Sequence, residues 1–246
     1  MSGVFLIPKV INYCWFGGRP LPVSVKNNIS SWRKYCPECK IVEWNEKNFD
    51  VNVNSFVSEA YSAKKWAFVS DFARLNVIYQ NGGIYFDTDV EIIRNIERLF
   101  ENRVFVALQR QDLLCNTGLG FGAEPQNIVI KKMLEEYSNK DFSLASREKI
   151  LCPILNTHAL KLLGYKKPNG DEITRINSLT VYPPKYFDPL SPGFTDDLLS
   201  NETFTIHHYD ASWEKPSRKL KRGLINKVGQ SRINSIKQFL KKYNIC

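Results

Sequence analysis

One short stretch restricts this chain more than any other: Gly82-Gly83-Ile84-Tyr85-Phe86-Asp87-Thr88-Asp89. A helical pattern over Lys64 to Gln80 runs into it, with Phe68, Phe72, Leu75 and Tyr79 at helical spacing. Asn81-Gly82-Gly83 stops that helix and offers glycine for a left-handed cap. Ile84-Tyr85-Phe86 reads as a short strand, and two carboxylates follow it on a turn. In open α/β sheets, ligands gather beyond the carboxyl ends of strands. Asp87 and Asp89 stand at that position.

The surrounding pattern is that of an α/β domain. Val10 to Trp15 predicts a strand closed by Gly17-Gly18, Val23 to Tyr35 a helix, and Lys40 to Trp44 a second strand. This is the βαβ opening of a parallel sheet. Further strands are expected at Val90 to Ile93, Val104 to Leu108, Leu119 to Gly122 and Thr203 to His208. Further helices are expected at Ile128 to Tyr137 and Ile150 to Leu163, and the proline-broken Val181 to Phe187 reads as irregular. A length of 246 residues suits one large α/β domain, or one domain with a small appendage. The division expected is a catalytic domain over 1–213 and a basic helical tail over 214–246.

Charge is distributed unevenly. The formal net charge is +9, and nine Lys/Arg lie between Ser217 and Cys246, a stretch without Asp or Glu. The remaining 25 basic residues balance 25 acidic ones, so the excess belongs to the tail. There, Leu220, Leu224, Val228, Ile233, Ile236 and Leu240 recur on one helical face. That pattern suits a helix lying on an anionic membrane surface, or one packed on the domain. The tail has no nucleic-acid motif and only Phe239 and Tyr243 as aromatics, so no nucleic-acid partner is expected.

No run reaches membrane-spanning length, and Met1 to Pro8 lacks the basic start of a signal peptide. The expected location is cytoplasmic, peripheral on the inner face of the membrane. Free thiols are then the default for Cys14, Cys36, Cys39, Cys115, Cys152 and Cys246. Cys36-Pro-Glu-Cys39 has metal-pair spacing but no second pair, and the three histidines are far from it in sequence. It reads as a turn between helix and strand.

Two carboxylates one residue apart on a turn can converge on one hard divalent cation. Mg²⁺ and Mn²⁺ characteristically take one or two protein carboxylates plus phosphate oxygens of a substrate. The same tripeptide also occurs as ordinary turn chemistry. Its context includes a second charged pair, Asp71 and Arg74, three residues apart on the preceding helix and bordering its apolar stripe. Such a pair is either an i,i+3 ion pair or a hydrogen-bonding set for sugar hydroxyls, with Arg supplying a planar fork.

The stretch from Lys65-Trp66-Ala67-Phe68-Val69-Ser70-Asp71-Phe72-Ala73-Arg74 through Asp87-Thr88-Asp89-Val90 resembles the sugar-binding region of glycosyltransferase family 32. The opening Ile7-Pro8-Lys9-Val10-Ile11-Asn12-Tyr13-Cys14-Trp15-Phe16-Gly17-Gly18 is similar to that family's first strand. Ile206-His207-His208-Tyr209-Asp210-Ala211-Ser212-Trp213 is similar to its closing block. The family includes yeast mannosyltransferases, α1,4-galactosyltransferases and bacterial capsule and O-antigen enzymes, and the glucosylating clostridial toxins carry a similar block.

The resemblance implies a GT-A fold, a Rossmann-like mixed sheet flanked by helices, and retaining transfer of a hexose (galactose, glucose or an N-acetylated hexosamine) from a UDP-sugar. It implies Mn²⁺ or Mg²⁺ as cofactor, and a polysaccharide-repeat or lipid-linked oligosaccharide as acceptor. It puts Asp71 and Arg74, with Ser70 beside them, on the donor sugar. Tyr13 and Trp15 fall at the nucleotide base, Tyr85 beside the diphosphate, and Trp213 in the donor-binding set. Asp87 faces the ribose or reaches the metal through water, and Asp89 binds the metal directly. His207 is the third-ligand choice and His208 its understudy, because only one of two strand neighbours can face a site.

The chain departs from the family at Asn12, where members often carry His, and at Leu151-Cys152-Pro153, where they often carry Thr-Gly-Pro. Asn116-Thr117-Gly118 is similar to an Asn-x-Gly strand near the family's acceptor. Asn156 is a candidate for stabilising the oxocarbenium-like state, its alternative being a polar residue on a helix face. A membrane-surface binding module, a metal-dependent nucleotidyltransferase and a toxin-like protein glycosyltransferase are the competing readings.

Overall fold

The computed structural model describes residues 6–138, 140–143, 149–167 and 171–210. Trp213 and the expected tail helix over 214–246 lie outside the described residues. The elements run β1 (Val10–Cys14), α1 (Val23–Tyr35), β2 (Lys40–Trp44), α2 (Ser55–Ser62), α3 (Trp66–Asn81), β3 (Gly83–Tyr85) and β4 (Val90–Ile92). A 3-10 turn at Glu97–Glu101 precedes β5 (Val104–Ala107), β6 (Phe121–Ala123), α4 (Ile128–Glu135) and α5 (Cys152–Leu162). The described chain closes with β7 (Thr174–Ile176), β8 (Leu179–Tyr182), α6 (Pro184–Phe187) and β9 (Thr205–His207).

A seven-stranded sheet has the order β2-β1-β3-β6-β5-β8-β7, and β4 pairs with β9 in a separate ribbon. β1 lies parallel to both β2 and β3, and β5 parallel to β8. β6 is antiparallel to β3 and β5, and β7 to β8. The sheet is therefore mixed, with β6 and β7 opposing the rest, as a GT-A fold requires.

Side chains alternate across the pleat and build one core on each face. Val104 and Val106 join α2, α3, α4 and α5 on one side. Phe105 and Ala107 join α1, β4 and α6 on the other. The same alternation divides β1: Cys14 faces the α3 side, and Tyr13 faces Trp32 of α1.

Asn12 is buried and acts as a brace. Its Oδ1 accepts from Trp44 Nε1 at 2.9 Å, and its Nδ2 donates to the Ile84 carbonyl at 3.3 Å. The departure at this position thus ties β1 to both neighbours.

Two expectations need correction. Val181 to Phe187 is not irregular: its first part completes β8, and Pro184 sits at the start of α6, where its missing N–H costs nothing. Cys36 and Cys39 are joined in a disulfide rather than free, in the expected turn between α1 and β2. Cys14, Cys115 and Cys152 are free and buried. No helix among the described residues is long and apolar enough to cross a membrane.

Candidate active site

β1 and β3 run parallel, so Cys14 and Tyr85 end at the same edge of the sheet. The chain reaches that edge through Gly83, whose φ is +103°. A Cβ there would stand 2.7 Å from the Val10 carbonyl. Glycine alone lets β3 close on β1 directly after α3.

Just past β3, Asp87 meets Arg74 from α3. Arg74 is 4% exposed. Its Nη2 donates to Asp71 Oδ1 at 2.6 Å, its Nη1 to Asp87 Oδ2 at 3.4 Å, and its Nε to the Ser70 carbonyl at 3.1 Å. Tyr85 donates to Asp87 Oδ1 at 3.0 Å, and its ring lies 5.2 Å below the guanidinium. The Asp71–Arg74 pair is thus no surface i,i+3 contact. Both groups are held inside the fold.

Gly118 forms the wall behind them. Its carbonyl accepts from the Asp87 N–H at 3.1 Å. A Cβ on it would collide with Asp87 Oδ2 and stand 3.0 Å from Arg74 Nη1. Asn116 Oδ1 accepts from the Gly118 N–H at 2.9 Å and fixes the turn.

The ribbon supplies the remaining ligands. Val90 pairs with His207, and the His208 N–H donates to the Asp89 carbonyl at 2.8 Å. This brings His207 Nε2 to 3.1 Å from Asp89 Oδ1. Ligand atoms of Asp87, Asp89 and His207 lie within 4.8 Å of one another. His208 points outward and meets Glu91 at 2.9 Å, so the cluster includes the first histidine and not the second. The His207 ring stacks edge-on against Tyr209 at 4.1 Å, and Tyr209 donates to buried Asp188 at 2.8 Å. Sequence reasoning missed this support, because nothing in the spacing links 188 to 209.

Burial pushes the Asp71 carboxyl up to about 6, against the pull of Arg74 and with help from Asp87. Asp87 is raised first by burial, then by the like charge of Asp89, with Arg74 opposing. For His207, burial disfavours the charged ring, but Asp89, Asp87 and Asp188 outweigh it and raise the pKa. Mutually repelling carboxylates with one imidazole form a hard O,O,N donor set, which suits Mg²⁺ or Mn²⁺. These residues fit a divalent cation.

Other candidate residues fall in several places. Trp15 is half-buried at the end of β1, its Nε1 donating to the Arg19 carbonyl at 2.5 Å. Tyr13 lies in the opposite core with its hydroxyl on Glu43 at 2.7 Å. Asn156 is wholly buried, not a polar residue on an open helix face. Its Nδ2 reaches Thr117 Oγ1 and Cys152 Sγ, both at 3.1 Å, and its Oδ1 is buried without a partner.

Residues 22–106 match the model of the glycosyltransferase sugar-binding region containing the DXD motif. No curated protein matches the chain. Among solved structures, the PaToxG glycosyltransferase is similar at 22% identity and a TM-score of 0.51, over 63% of this chain and 68% of that one. A glycosyltransferase involved in glycosylation of the major capsid of PBCV-1 aligns with 88% of this chain and all of its own, at 10% identity and a TM-score of 0.46. The galactosyltransferase LgtC, solved with donor and acceptor sugar analogs, aligns with 87% of this chain and 94% of its own, at 11% identity and a TM-score of 0.44. Residues 22–106 thus match the sugar-binding, DXD-containing region of glycosyltransferases, and the fold that carries them is of the GT-A type.

Proposed function

We propose that the chain transfers a hexose from a UDP-sugar to a glycan or lipid-linked glycan, with retention at the anomeric carbon. The observation that carries this is the double grip of Arg74 on Asp71 and Asp87. It joins a pair suited to sugar hydroxyls to the Asp87, Asp89 and His207 cluster.

On this reading those three residues hold Mn²⁺ or Mg²⁺, which supplies positive charge for the departing diphosphate. Asp71 accepts hydrogen bonds from sugar hydroxyls, and Arg74 keeps its carboxylate oriented. Tyr85 fixes Asp87. Trp15 stands where β1 ends and offers a flat ring for the base. Burial of the Asp71–Arg74 pair keeps water from competing for it. With Asp71 and Asp87 both engaged, the acceptor hydroxyl attacks C1 on the face that the diphosphate leaves. The C1–O bond to phosphate breaks with its electron pair, and the hydroxyl proton passes to a phosphate oxygen.

The basic stretch from Ser217 to Cys246 supports a place at an anionic membrane surface, where a lipid-linked acceptor would be met. Salt-sensitive binding to anionic vesicles, lost in a chain ending at Trp213, is the expected behaviour. Equal binding by both forms would remove that part.

The central test is a panel of nucleotide-sugars assayed for slow hydrolysis with Mn²⁺. One or more UDP-hexoses should be split, and Asp71→Asn should abolish the reaction. Hydrolysis that ignores the sugar or is unchanged in Asp71→Asn would overturn the reading.

A further inference from the structure

Among the described residues, β4 has a partner strand on one side only. Successive residues of an antiparallel strand turn their backbone groups to alternate edges. Asp89 and Ile93 turn toward β9, where the Asp89 carbonyl accepts from the His208 N–H at 2.8 Å and the Ile93 N–H donates to the Phe204 carbonyl at 3.0 Å. Thr88, Val90 and Ile92 turn the other way, toward α1, and three side chains of that helix meet them. Asn28 Nδ2 donates to the Thr88 carbonyl at 2.9 Å, and Trp32 Nε1 donates to the Val90 carbonyl at 2.8 Å. The Ile92 N–H donates to Ser31 Oγ at 3.0 Å. Residues 28, 31 and 32 share one face of α1 by their spacing, so the helix serves this edge as a strand would. Buried backbone groups need such partners, and here the donors are buried too: Asn28 is 7% exposed and Trp32 fully enclosed.

The contacts differ in what they reach. Ile92 lies beyond Asp89 in β4, whereas Thr88 lies between the two carboxylates in the chain. The Thr88–Asp89 peptide is planar, so a grip on its carbonyl fixes the direction in which the chain enters Asp89. Asp87 is held separately, through its N–H by Gly118 and through its carboxylate by Tyr85 and Arg74. We infer that Asn28 is a positioning residue for the divalent cation: its amide, by gripping the Thr88 carbonyl, sets the Asp89 carboxylate against Asp87 and His207. This rests on those three residues binding the cation. Asn28 acts through the backbone and is not itself a ligand.

The experiment measures Mn²⁺ binding to the full chain by calorimetry, without a nucleotide-sugar, beside melting in the absence of metal. Asn28→Leu and Asn28→Ala both remove the donor, and the first keeps the volume. Each should weaken Mn²⁺ binding about tenfold, since partners that orient metal ligands cost about 10–100-fold when lost. Ser31→Ala removes the contact at the far end of the same edge. It should also lower Tm, yet leave Mn²⁺ affinity within about twofold, because its contact is remote from the carboxylates. Parental affinity in Asn28→Leu, a loss in Asn28→Ala but not in Asn28→Leu, or affinity that simply follows Tm across all three variants would each overturn the inference. Where one of the two Asn28 variants fails to fold, the other decides. If Asp89→Asn itself left Mn²⁺ binding intact, the metal reading would fall first.

Discussion

Arg74 spends one amino group on Asp71 at 2.6 Å and reaches Asp87 with the other at 3.4 Å. A single ammonium cannot reproduce that planar reach. Arg74→Lys should therefore lower kcat/KM for donor hydrolysis by about 100-fold while keeping the charge. Steady-state kinetics beside thermal melting will check this; a proportionate loss of stability and activity would mark a purely structural pair.

Gly118→Ala is the smallest change expected to break the site. Its new methyl would push on Asp87 Oδ2 and Arg74 Nη1. Activity should fall by about 100-fold or more, and Tm should drop modestly, as for an overpacked residue costing about 1–3 kcal/mol. Gly118→Ala with near-normal turnover would show that Asp87 has freedom to move.

The two adjacent histidines should behave oppositely. His207→Ala and Asp89→Asn should each abolish Mn²⁺-stimulated hydrolysis and weaken metal binding measured by calorimetry. His208→Ala should stay within about twofold, because it removes only an exposed pair with Glu91. Equal sensitivity at 207 and 208 would contradict the strand geometry.

The raised carboxyl of Asp71 sets a pH dependence. With a folded value of about 6, it is ionised above that pH and protonated below it. UDP-sugar affinity should therefore fall as pH drops through 6, and more steeply than the affinity for UDP, which falls only through protonation of Asp87 and His207. For stability the sign reverses. A carboxyl raised above its ordinary value stabilises the fold at low pH, and this contribution is lost as pH rises through about 6. Asp71→Asn should accordingly melt no lower than the parent at pH 8, despite its lost activity. Binding titrations and melting curves across pH 5–8 will decide both.

Much of this site was legible from residue types and spacing. The helix over Trp66–Asn81, its glycine stop, the strand and the carboxylate pair followed from local pattern. The parity argument for His207 and His208 needed only the two-residue repeat of a strand. The parts that escaped are held by distant partners. Asn156 had two readings, a group near the oxocarbenium-like state or a polar residue on a helix face, and spacing alone does not say that Thr117 and Cys152 enclose it. Tyr13 stands at the nucleotide base by resemblance, and only the structure gives its packing against Trp32 of α1. The disulfide escaped because redox setting was argued from the chain as a whole, while Cys36 and Cys39 are brought together by one turn.

The β4–β9 ribbon has a consequence for the order in which the molecule is made. Asp89 immediately precedes β4, and His207 ends β9, so the carboxylates and the imidazole meet only across a very long loop. A nascent chain that has already assembled β1, β2 and β3 still lacks its third ligand. Closing that loop carries an entropic cost that the local β1, β2 and β3 pairing does not, and His207 is made well after both aspartates. The cluster therefore reports that the chain has been made through β9: a ribosome-bound or truncated fragment can own the sheet, the helix and both aspartates, and still not have a site.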